Sequence, residues 1–261
     1  MKSRNVLTAR RRRLVMAALL VGCATPLTIA VAGPMDWVSS AKVQGSGKVV
    51  KQTRQLAHFT GVKLIVPGDM VLRLGNTESI TIETDDNILP LIESVIEDGT
   101  LQIRPLRRNT SLQTRYMRIV VMAKDIERLA LSGSGSIDAD ALKANQLTFD
   151  IGGSGSINVK GMQARAVAIS VGGSGDFKGG PGKVNRLSVS IGGSGDVDVG
   201  RVQTNEASVS VAGSGEAIMW ADAGLSVTIA GSGDVSYYGD PKLSISVIGS
   251  GDVTRLGAAP K

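Results

Sequence analysis

Phe149-Asp150-Ile151-Gly152-Gly153-Ser154-Gly155-Ser156-Ile157-Asn158-Val159 is one copy of a phrase that the chain repeats seven times. Gly-Ser-Gly stands at 133–135, 153–155, 173–175, 193–195, 213–215, 231–233 and 249–251, spaced by twenty residues four times and then by eighteen twice. Before each copy, two apolar residues alternate with outward positions. The nearer set is Leu131, Ile151, Val171, Ile191, Val211, Ile229 and Val247, and the farther set runs from Leu129 and Phe149 to Ile245. After each copy a second short alternation begins at Ile137, Ile157, Phe177, Val197, Ala217, Val235 and Val253. Alternation of this kind predicts strands with one buried face. The repeat thus speaks to architecture and little to activity.

A period near twenty residues predicts a solenoid, in which each coil buries its apolar face only against its neighbours. Coils would stack ~4.8 Å apart, with glycines at corners where a side chain would clash or need a positive φ. An antiparallel meander with Gly-Ser-Gly at its hairpin tips satisfies the same periodicity. Upstream, Gly61–Val66, Met70–Leu74, Ser79–Thr84 and Arg115–Met122 also alternate, and Asp98-Gly99 reads as a hairpin turn. Residues 88–95 read as a short helix or turn. No Pro- or Ser-rich boundary separates this region from the first repeat, and one continuous domain is expected.

Of the 29 Lys and Arg, six (Lys2, Arg4 and Arg10 to Arg13) precede the first acid, so 23 bases face 23 acids over the rest of the chain. That neutral body gives no field for nucleic acid. The basic start, the apolar run from Leu14 and the small–x–small Ala30-Val31-Ala32 read as an export signal, residues 1–32, cleaved between Ala32 and Gly33. Two alternatives are a lipoprotein, with Cys23 of Leu20-Val21-Gly22-Cys23 lipidated, and an uncleaved anchor over 14–33. Each route leads to the periplasm or beyond it. Membrane attachment is expected only through Cys23 or an uncleaved signal. Cys23 is the single cysteine, so the mature chain would hold no disulfide. Residues 33–44 read as a linker, 45–256 as the folded domain and 257–261 as a tail.

Gly61-Val62, the segment Thr84-Asp85-Asp86-Asn87-Ile88-Leu89-Pro90, Asp98-Gly99-Thr100-Leu101 and the iterated Gly-Ser-Gly-Asp or Gly-Ser-Gly-Ser together resemble the bacterial head GIN domain family. That family is described as a putative auto-transporter adhesin and classed as a domain of unknown function. The resemblance covers roughly residues 45–256. It implies an exported, all-β, right-handed parallel β-helix, and it supplies no catalytic residues.

The residues themselves offer few sites. The repeat serines fail the Gly-x-Ser-x-Gly pattern of a nucleophile elbow, and His58 is the only histidine. They read instead as a corner ladder whose hydroxyls bond backbone or the next coil. The column Ser136, Ser156, Asp176, Asp196, Glu216, Asp234, Asp252 misses the phase of the calcium-binding Gly-Gly-x-Gly-x-Asp repeat by one residue and reads as turn residues accepting backbone N–H bonds. Asp85-Asp86 with Glu83 has the composition of an acid–base pair but sits in a turn-like context. Arg104, Arg107, Arg108, Arg115 and Arg118 form the densest basic group and read as a solvated hairpin. Trp220, Tyr237 and Tyr238 are expected to cap the open end of the core. No catalytic residue, cofactor or metal ligand is expected. The expected role is structural or adhesive, toward an envelope protein or glycan. A polysaccharide-binding or polysaccharide-processing β-helix is the alternative, and a small-ligand sensor a third class.

Overall fold

The structure, a computed structural model, describes residues 41–107 and 109–260. Ala32, Gly33, Cys23, Trp37 and Arg108 lie outside the described residues, as does most of the linker. The fold is a β-solenoid: among the described residues, nineteen of the twenty-one strands, all but the first and the eighth, belong to one sheet.

The repeats stack in parallel, with residues twenty apart side by side. Ile151 pairs with Val171 and Val171 with Ile191, while Phe149, Ile169 and Val189 form the next column. These positions are almost wholly buried, and the intervening Ser170 and Ser190 are exposed. The parallel register excludes the meander, because consecutive strands of a meander run antiparallel. Phe149 and Phe177 meet inside the core with ring centroids 4.8 Å apart.

The corners explain the recurring phrase. The first glycine of each copy has φ between +118° and +137°, a region that strongly favours glycine. The closing glycine is needed for clearance: a Cβ on Gly155 would run into the Gly135 carbonyl oxygen. Between them, the serine's backbone N–H donates to the preceding corner, as Ser174 does to Gly153 O at 2.9 Å and Ser194 to Gly173 O at 2.8 Å. This corrects the expected hydroxyl ladder. The seven serine side chains are exposed, and their hydroxyls have no partner among the described residues.

The step from twenty to eighteen residues also has a local cause. Val199 pairs with Met219 and Gln203 with Trp220, so three residues on one strand face none on the next. The following shift, Thr204 to Glu206 against Ala221 to Gly224, returns one residue. The net loss of two shortens the coil, and it falls where residues 200–202 have no counterpart.

Coils do not stack in chain order at the N-terminal end. Gly61–Leu64 lies between Thr100–Pro105 and Arg128–Gly133, parallel to both. Likewise Asp69–Leu74 lies between Met117–Ala123 and Ser136–Ala139. The chain lays down an inner coil, then an outer one, and then crosses back to start the repeats on the other side. The intervening segment closes the outer coil with antiparallel strands. Ser79–Asp85 pairs with Met117–Ala123 and is itself covered by Val49–Gln55. Ile92–Glu97 pairs with Thr100–Pro105 through a two-residue turn at Asp98 (φ +48°) and Gly99 (φ +71°), the geometry expected of Asp-Gly. The segment 88–95 holds one short 3₁₀ turn, Leu89–Leu91. Charged, antiparallel edge strands protect such an end from further pairing.

The other end differs from expectation. Trp220 and Tyr238 are register partners and Tyr237 is 6% exposed, but the coil of Lys242–Gly249 and Val253–Gly257 lies beyond them. The aromatics therefore do not cap the core. Leu243, Ile245 and Val247 continue its columns and remain 45%, 47% and 39% exposed.

Candidate functional site

The carboxylates that stand out in the sequence have structural partners. Asp85 is buried and accepts from Gly47 N at 2.7 Å and from Thr114 Oγ1 at 2.6 Å. Asp86 accepts from Ser46 Oγ at 2.6 Å, and Asn87 both accepts from Ser46 N and donates to Gln44 O. The Ser46 hydroxyl holds the Asp86 carboxyl below its ordinary range, against partial burial and with help from Lys48. Asp85-Asp86-Asn87 thus clamps the Gly45-Ser46-Gly47 loop, and the strand Ala41–Gln44 leading into that loop pairs with Thr110–Gln113. The acidic corner column is similarly engaged. Asp196 accepts from Glu216 N at 2.9 Å and Asp234 from Asp252 N at 2.8 Å, each carboxylate binding the next coil's backbone.

The described arginines of that group do not form one basic face. Arg104 is held by Glu93 and Glu97, both at 2.8 Å, and these two carboxylates push its pKa upward. Arg115 lines a small cavity beside Asp85, and Arg118 stands across from Glu83 in the strand register.

The chemistry left unspent lies along a groove of about 910 Å³ that runs up the solenoid. It forms where inside–outside alternation breaks: Asn145-Gln146, Asn185-Arg186 and Asn205-Glu206 are each consecutive exposed pairs, so the strand bends. The floor is the small-residue column Ala144, Ala164, Val184. One wall is the column Lys143, Gln163, Lys183, Gln203, held in register by parallel pairing. The other wall carries Asn145, Arg165, Asn185 and Asn205. Each of the first three coils therefore presents one cation and one carboxamide, and the cation changes wall from coil to coil. Lys143, Arg165 and Lys183 are exposed, and none makes a hydrogen bond or ion pair among the described residues. Asp222, the only carboxylate among the described lining residues, ends the groove and accepts from Gln203 Nε2 at 2.8 Å.

The model of the family described as putative auto-transporter adhesin, head GIN domain, matches residues 58–241. The chain belongs to the head GIN domain family. Solved structures share the family's solenoid. A putative adhesin from Bacteroides fragilis aligns over 82% of this chain and 100% of its own, with a TM-score of 0.77 at 20% identity. A protein from Parabacteroides distasonis, described as a putative lipid binding protein, covers 82% and 99%, with a TM-score of 0.69 at 24% identity. A putative adhesin from Parabacteroides merdae covers 83% and 99%, with a TM-score of 0.66 at 21% identity. Among curated proteins, none matches this chain. The matched GIN segment contains the whole groove. Reading the sequence for motifs misses the groove residues, although a register signal is present: positions 143, 163, 183, 203 and 145, 165, 185, 205 are polar throughout once the twenty-residue phase is applied.

Proposed function

We propose that this GIN-domain chain is an exported binding protein of the cell envelope, adhesive in role, that engages its partner along the groove. The observation carrying this reading is the row of three unpaired cations among carboxamides, set on a rigid ladder of parallel strands. Coil-to-coil pairing holds the backbone under these side chains at set spacings. The order of charges along the groove is thus fixed before binding, although each long side chain still gives up rotamer freedom when it binds. Export rests on the pattern of residues 1–32 and agrees with the adhesin description of the family. A lipid-binding role, as described for the Parabacteroides distasonis protein, fits less well, because the walls offer amides and charges where an acyl chain needs apolar surface.

Two experiments test this reading. Beads coated with the mature protein should adhere to intact bacterial envelopes, and the triple variant Lys143→Gln, Arg165→Gln, Lys183→Gln should lose most of that adherence. Unchanged adherence by the triple variant would remove the groove from the function. Mass spectrometry of exported protein should find Gly33 at the N-terminus, and a diacylated Cys23 would replace that reading with the lipoprotein.

A further inference from the structure

We infer that the groove holds a linear acidic polysaccharide, a polyuronate in extended conformation, with about one sugar residue per coil. The inference rests on the groove being the binding site and names the class of ligand for it.

Parallel neighbours stand ~4.8 Å apart, a rise close to the length of one pyranose in an extended chain. A polymer lying along the groove therefore meets the same wall positions once per sugar. Lys143 on one wall, Arg165 on the other and Lys183 back on the first set three cations in a zigzag. An extended chain with two-fold screw symmetry directs successive carboxylates to opposite sides, and so presents anions in the same zigzag.

The carboxamides supply the third element. Asn145, Gln163 and Asn185 stand opposite the cation of their own coil. A carboxamide both donates and accepts, as a sugar hydroxyl does, so it pairs with the ring edge that the carboxylate leaves free. The small floor of Ala144 and Ala164 lets a flat ring approach the sheet. Asp222 closes one end and repels a further anion, which limits the strongly bound stretch to the first three coils.

Other polyanions fit less well. Nucleic acid calls for a sustained basic field and stacking platforms. Yet no aromatic residue is among the described lining of this groove, and the body beyond residue 32, groove included, balances its charges. An extended peptide added as a strand needs free backbone groups. Here the backbone of the floor is already paired from coil to coil.

Calorimetric titration of the mature protein with hexamannuronate, cellohexaose and a short inorganic polyphosphate tests the inference. Hexamannuronate should bind, cellohexaose should not, and affinity should fall as salt rises. Arg165→Gln should weaken hexamannuronate binding roughly tenfold, and Asn185→Ala should weaken it measurably with all charges intact. Lys178→Gln, an exposed change on another face, should leave it unaltered. Polyphosphate binding as tight as hexamannuronate, with no effect of Asn185→Ala, would reduce the site to a charge trap and overturn the inference. If hexamannuronate fails to bind while envelope adherence still depends on the three cations, the ligand class is wrong and the groove reading survives. If adherence is also independent of the cations, both fail.

Discussion

Ser170 and Ser190, twenty residues apart in the chain, are direct neighbours on adjacent parallel strands and both face solvent. Cysteines at these positions should form a disulfide under mild oxidation, because neighbouring parallel strands bring Cα atoms to ~4.8 Å. Nonreducing electrophoresis of the digested double variant reads the crosslink. A pair that stays reduced in a protein with an unchanged circular dichroism spectrum would contradict the register.

The corner phrase predicts a contrast between adjacent residues. Gly173 has φ +118°, and a Cβ there would lie 2.5 Å from the Gly153 carbonyl oxygen. Gly173→Ala should therefore cost about 1–3 kcal/mol of stability from backbone strain alone, with more from the clash. Ser174→Ala removes a hydroxyl that has no partner among the described residues and should change stability by less than ~0.5 kcal/mol. Chemical denaturation of the two variants checks this, and equal losses would restore a structural role to the hydroxyls.

The repeats are legible because they carry two independent periodicities, alternation along the strand and recurrence at twenty residues. Val171 is buried and Ser170 exposed as that pattern requires. The order of coils near the N-terminus is not legible. Val62 pairs with both Leu101 and Leu129, and nothing local to these three strands says which lies in the middle. The groove is half legible. Lys143 and Arg165 read as outward residues, but their convergence depends on a bend, and a bend appears in sequence only as a lapse in alternation. The aromatic cap fails for a related reason. Trp220 and Tyr238 belong to the shortened coils, and burial follows position in the stack more than residue type.

A pH dependence follows from Glu78. Its Oε1 and His58 Nδ1 lie 2.5 Å apart, and Lys124 Nζ is 3.7 Å from its other oxygen. The hydrogen bond with His58 does most to lower the carboxyl's pKa, partial burial opposes it and Lys124 adds to the lowering. A folded pKa below the unfolded value of ~4.3 means the unfolded chain binds more protons as pH falls. The stabilisation is thus present above that value and lost as pH drops through the folded pKa. Melting curves of wild type and Glu78→Gln should be farthest apart above that value and draw together as pH falls below it. A gap that widens on acidification would reverse the assignment.

Asp85 makes the strongest demand on its surroundings. It is 4% exposed, accepts from Gly47 N and Thr114 Oγ1, and stands where a side chain on Gly45 would overlap its Oδ2. Asp85→Ala leaves a main-chain N–H and a hydroxyl without their acceptor, a loss of about 1–3 kcal/mol if water does not reach them. Asp85→Asn keeps the shape, yet its amide can accept at only one atom, so one of the two donors faces an NH₂ group. It should lose part of the same stability. Gly45→Ala should displace the loop from the clamp while leaving the carboxylate in place. Limited proteolysis near residues 44–48 separates these cases: faster cleavage is expected in Asp85→Ala and Gly45→Ala, with the remainder of the solenoid still resistant. If these bonds were not what holds the loop, Asp85→Ala would instead leave the loop closed and stability unchanged. The clamp requires the opposite, because the bonds that fix the loop are the ones that occupy the carboxylate.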